Sequence, residues 1–236
     1  MSIDKALERL KQYREKHFEL GKAVIQAYGG AMYPLDLLVL ATLNRSLCLL
    51  KGFVSLIEDK NFVAAAPLIR LQLDNCLRLS AGTLVDDPHQ FAMKMLEGVP
   101  VRKQRDRSKQ LMTDQYLVEK LTRQFAWVKK VYYSTSGYVH LSEKHFFNAM
   151  QASGEDHKFT LKITDRDEFV PDALYIEAIE AFKATTDILF EYVYGWAYTK
   201  DNPEKAAREL RERLQEEGKS ETQDNAKAEL QKPKRC

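Results

Sequence analysis

The chain has 236 residues, 44% of them hydrophobic and 30% charged, with 10 glycines and 7 prolines. That is ordinary for a soluble globular protein and too poor in turn residues for a loop-rich or all-β design, so helices are expected. A formal charge of +2 excludes the global polyelectrolyte character of a strongly basic nucleic-acid domain and leaves any such binding to a local patch.

The opening residues MSIDKALERLKQYREKH are charged throughout and lack the apolar centre of a signal peptide. Apolar residues at three-to-four spacing then predict a first amphipathic helix from Ile3 to about Tyr28, with Gly29-Gly30 as its stop. Pro34 suits a first helical position and Asp36 complements the dipole of a second helix running to about Asp59. Its apolar run from Leu35 to Ile57 carries Asp36, Arg45 and Lys51, which predicts a buried helix and no membrane span.

Asn61 can cap a third helix, NFVAAAPLIRLQLDNCLRLSAGTL, which Pro67 is expected to kink or restart. Within it Arg70, Asp74 and Arg78 recur at steps of four and so share one stripe. The stripe reads either as a solvated ion-pair ladder or as one wall of a polar cleft. Cys48 and Cys76 lie in these apolar runs and, with Cys236, form no CxxC pair, the usage of a reducing, cytoplasmic protein.

Asp87-Pro88 opens a short fourth helix that ends at Gly98. The segment VPVRKQRDRSK follows, in which Arg102, Lys103, Arg105, Arg107 and Lys109 surround a single acid, Asp106. Guanidinium forks match phosphate oxygens, although charge runs are more often plain solvated surface. Thr113 and Asp114 open a fifth helix, TDQYLVEKLTRQFAWVKKVYYSTS, which Gly137 is placed to end.

Beyond it lies the densest collection of reactive groups, VYYSTSGYVHLSEKH, spanning Val131 to His145. His140 could serve as a general acid or base near neutral pH, with Tyr138 stacking or donating beside it. The alternative is a hydrogen-bonded histidine tying the turn to Asp74 or Arg70. His140 and His145 miss the spacing of zinc-binding helices, and Ser142 has a capping role available, so neither a metal nor a cofactor is expected. No phosphate-binding glycine loop or GxSxG elbow is present.

Alternation in HFFNAMQA and FTLKIT predicts a small β-hairpin, and Pro171-Asp172 starts a last long helix through about Trp196. The expectation is an all-α bundle of about six helices with one hairpin over residues 1–200. A charged, partly disordered tail over 201–236 could dock a partner protein.

The motifs RLQLDNCLRL and SGYVHLSEKH, with the hairpin and final helix after them, resemble bacterial all-helical proteins and more distantly the HEPN-type helical domains. Those domains occur in nucleotide-binding and RNase toxins and in phage-defence proteins, and the resemblance spans about Asp36 to Trp196. It implies a helical fold, a homodimer and a polar site near His140. HEPN RNases carry Arg, four to six residues, then His; no histidine here has an arginine at that spacing, so the family's catalytic pair is not carried over. The leading expectation is a cleft of Arg70, Asp74, Arg78, Arg105, Asp106, Tyr138, His140 and Ser142 binding a phosphate-bearing ligand or RNA. The rival is a non-catalytic interaction protein in which the same residues form a hydrogen-bond network.

Overall fold

The structure is a computed structural model and describes residues 2–140, 142–143, 145–146, 150–152, 159–161, 163–167, 169–209 and 211–212. The fold is all-α. Its helices are α1 (Ile3–Lys11), α2 (Tyr13–Gln26), α3 (Pro34–Glu58), α4 (Phe62–Ala81), α5 (Pro88–Leu96), α6 (Asp114–Gln124), α7 (Val128–Val139) and α8 (Asp172–Asp201).

Besides these eight α-helices, where about six were expected, residues 203–209 are also helical. The predicted first helix divides at Gln12, and the predicted fifth divides where Phe125 leaves helical geometry at φ −128° and ψ 84°. Phe125 and Trp127 both turn onto the core there, so side-chain burial and no glycine or proline makes the break. Gly137 does not end α7, which runs on to Val139. Pro67 does not interrupt α4.

Caps follow ordinary chemistry. Asn61 accepts from the Ala64 N–H at 3.1 Å, Asp87 from His89 and Gln90 at 2.9 Å, and Thr113 from Tyr116 at 3.3 Å. Tyr28, Gly29 and Gly30 take positive φ in succession to turn the chain between α2 and α3. Two strands, β1 (Met150–Ala152) and β2 (Phe159–Leu161), pair antiparallel with Gln151 opposite Thr160. His145 and Phe146, expected in the first strand, are helical, and residues 153–158 between the strands lie outside the described residues, as does most of the predicted tail.

Two apolar clusters form the core. One gathers Leu7, Leu10, Phe53, Ile57, Ile69 and Phe182 at one end of the bundle. The other gathers Leu43, Leu73, Leu77, Leu117, Leu189 and Val193 at the other. Among the described helices α3 alone is long and apolar enough to cross a membrane, and here it packs on α2, α4 and α5.

Candidate functional site

Arg70, Asp74 and Arg78 lie on one face of α4, and α3 and α6 complete a charged cluster around them. Arg78 Nη2 sits 2.7 Å from Asp74 Oδ1 and 2.6 Å from Asp114 Oδ1. Arg45, from α3, donates to Asp74 Oδ2 at 3.2 Å and to the Asn75 side-chain oxygen. Arg70 Nη2 stands 3.6 Å from Asp114 Oδ2, and its guanidinium carbon lies 4.0 Å from the centroid of the Tyr132 ring on α7. Burial works against the Arg78 charge, but the carboxylates of Asp74 and Asp114 outweigh it and raise its pKa above the ordinary value. Three guanidinium groups face two carboxylates, and each has an acidic partner.

The cluster continues inward as a chain of hydrogen bonds whose directions are fixed by chemistry. Asn75 Nδ2 donates to Gln72 Oε1 at 3.0 Å, and Gln72 Nε2 donates both to Ser46 Oγ at 2.7 Å and to Thr186 Oγ1 at 3.0 Å. Ser46 Oγ lies 2.8 Å from His17 Nε2, while His17 Nδ1 lies 2.7 Å from the Tyr13 carbonyl. A carbonyl only accepts, so the proton sits on Nδ1, Nε2 is the acceptor, and the Ser46 hydroxyl donates to it. His17, Ser46, Gln72, Asn75 and Thr186 are all buried. This polar layer joins α2, α3, α4 and α8 where the two apolar clusters meet, since Ser46 falls between Leu43 and Leu50, and Gln72 between Ile69 and Leu73.

The other predicted site residues are dispersed. Arg105 Nη1 donates to the Lys109 carbonyl at 2.6 Å within its own loop. Asp106 is buried and accepts from the Gln110 N–H at 2.8 Å and from the Tyr116 hydroxyl. Burial and that bond push the Tyr116 phenol up to about 12. Neither Arg105 nor Asp106 bonds to the α4 stripe.

Helix α7 runs antiparallel to α4, with Tyr132 over Arg70 and Tyr138 against Phe62 at 5.6 Å between ring centroids. Tyr138 is therefore at the Phe62 end of α4, where burial, then Glu177 and Asp167, raise its pKa. His140 caps α7 beyond that point, exposed, with no hydrogen bond or ion pair to another described residue. Both were expected against the Arg70-Asp74-Arg78 stripe, and the antiparallel direction of α7 carries them away from it. Ser142 Oγ donates to the Gly137 carbonyl at 2.7 Å, which satisfies an open acceptor in the last turn of α7.

Sequence reasoning passed over Arg45, Asp114 and the inner residues His17, Ser46, Gln72 and Thr186. A trace of the layer was available, because Ser46 and Gln72 are polar positions on otherwise apolar helix faces. Among the described residues no group of three or more His, Cys, Asp or Glu side chains could hold a metal ion. No family model matches the chain, and no curated protein or solved structure matches it either.

Proposed function

We propose that this chain is a non-catalytic structural or interaction protein of the cytoplasm, acting as a homodimer or as a subunit of a complex. The observation that carries the reading is the pairing of Arg45, Arg70 and Arg78 with Asp74 and Asp114. A ligand phosphate at these arginines would have to displace carboxylates already in place. Their work is to close the outer end of the polar layer and hold α3, α4 and α6 in register. Association has apolar side chains to use: Phe18 and Ile25 on α2, Leu37 on α3 and Leu71 on α4 are all exposed on helices that pack side by side.

The test is light scattering across a concentration series on the wild type and on Leu37→Glu, together with nuclease and phosphatase assays on His140→Ala and Arg70→Ala. The reading expects association that Leu37→Glu weakens, and no activity for either alanine variant to remove. A turnover that His140→Ala or Arg70→Ala abolishes in a folded protein would defeat it.

A further inference from the structure

The basic segment after α5 is built differently from the Arg-Asp cluster. Its backbone is pinned at several points: Asp106 N–H donates to the Gln110 carbonyl at 3.0 Å, Met112 N–H to the Gln104 carbonyl at 3.0 Å, and Arg107 N–H to the Leu84 carbonyl at 3.0 Å. Val101, Gln104, Asp106 and Met112 are buried beneath it. The Arg107 guanidinium is part of this anchoring, since Nη2 donates to the carbonyls of Thr83 at 2.8 Å and Val85 at 3.1 Å.

What remains outside is cationic. Arg102, Lys103, Arg105 and Lys109 are exposed on the loop. Helix α6 adds Lys120, whose Nζ lies 5.3 Å from the centroid of the Tyr116 ring, and Arg123 one turn further on the same face. Tyr116 joins the two pieces, because its hydroxyl donates to Asp106 inside the loop. Among the described residues none of these six cations has a carboxylate within ion-pair distance, whereas Arg45, Arg70 and Arg78 all do. The one acid of the segment, Asp106, is buried with both oxygens engaged.

We propose that the Arg102–Lys109 loop and the Lys120-Arg123 edge of α6 form a docking surface for the phosphate backbone of a nucleic acid. Cations without a carboxylate partner among the described residues, carried on a pinned loop and a helix, meet phosphates with little ordering cost, and guanidinium and ammonium groups are the usual donors to them. A lipid surface fits less well, because a membrane-bound face needs several apolar side chains beside its cations, and Leu111 is the large exposed apolar residue of this segment. The surface does not depend on the Arg-Asp cluster, so it stands or falls apart from the reading given above.

The experiment is fluorescence anisotropy with a labelled single-stranded RNA of about 20 nucleotides and a DNA of the same sequence, over a salt series. The variant is Arg102→Gln/Lys103→Gln/Lys109→Gln, which spares the fold-anchoring Arg107, and its thermal unfolding is measured alongside. The wild type is expected to bind RNA and DNA alike, because the protein meets phosphate and not the 2′-hydroxyl. The triple variant is expected to unfold as the wild type does, bind at least about tenfold more weakly at low salt, and show a salt slope shallower by about 2, near 0.7 for each phosphate that it no longer neutralises. The proposal is overturned if the wild type binds neither strand, if the folded variant keeps affinity and slope, if only RNA binds, or if anionic vesicles compete the strand away.

Discussion

Asp36 and Lys200 pair at 3.0 Å with their side chains 0% and 1% exposed. Asp36 also accepts from Trp196 Nε1 and from the Tyr33 N–H, each at 2.7 Å, and Lys200 donates to the Val24 carbonyl at 2.8 Å. Both carboxylate oxygens and the ammonium are therefore engaged, which is the condition under which a buried ion pair persists. Replacing Lys200 with Met leaves the carboxylate buried without its cation. The expected loss is about 3–5 kcal/mol in denaturant unfolding, and Asp36→Asn/Lys200→Met is expected to lose less than Lys200→Met alone. A single variant within about 1 kcal/mol of wild type would show that water reaches Asp36.

His17 sets a pH dependence. Burial lowers its pKa below the ordinary 6.5, with the Tyr13 carbonyl opposing that shift. The unfolded chain then binds the proton more readily than the folded one, so this contribution to stability is fully present above about pH 6.5 and is lost as pH falls to the lowered folded pKa. Each unit of lowering corresponds to about 1.4 kcal/mol. Unfolding measured from pH 7.5 down to 5 should show this loss in the wild type, beside the general carboxylate contribution. His17→Gln should flatten the upper part of the curve; parallel curves for the two proteins would remove His17 from the account.

Arg78 bridges Asp74 and Asp114 at a site about a quarter to two-fifths exposed. Solvent screening keeps its contribution modest, so Arg78→Met is expected to cost about 1 kcal/mol. Arg78→Lys should recover little of that, because one ammonium cannot present the planar fork to both carboxylates. Full rescue by lysine would mean that charge alone, and not fork geometry, holds α6 to α4.

Much of this was legible from residue spacing. Arg70, Asp74 and Arg78 share a face because four residues are close to one helical turn, and Asn61, Asp87 and Thr113 announce caps by chemistry local to the chain. Their partners were not legible. Arg45 meets Asp74 across 29 positions, and Arg78 meets Asp114 across 36, which only the packing of α3 and α6 on α4 decides. His140 was misplaced for a related reason: residues at the end of a helix go wherever its direction takes them, and spacing does not tell an antiparallel neighbour from a parallel one.

Lys60 follows α3 with φ +57°, a left-handed conformation that costs a side-chain-bearing residue about 1 kcal/mol and glycine almost nothing. Its Nζ lies 3.5 Å from Asp172 between well-exposed side chains, an interaction of little weight. Lys60→Gly is accordingly expected to raise stability by about 0.5–1 kcal/mol, read as a higher midpoint at unchanged denaturant slope. A lower midpoint would assign more to the approach of Lys60 to the Tyr175 ring, at 5.0 Å, than its exposure suggests.

Exposure makes His140→Ala a quiet change, expected within about 0.5 kcal/mol of wild type by thermal unfolding. A large loss would place the imidazole in a packed setting.

The polar layer also has a bearing on synthesis. Its last member is Thr186, and the partner that neutralises Asp36 is Lys200, so groups on α3 and α4 wait for residues far along the chain. A nascent chain emerging from the ribosome can form α3 and α4 early, but Gln72 and Asp36 then face water or one another's helices until α8 is released. Termination before Thr186 would leave Gln72 and Asp36 as two stranded polar anchors, in the kind of species that chaperones and proteases recognise. The closing step of folding is thereby tied to the release of α8.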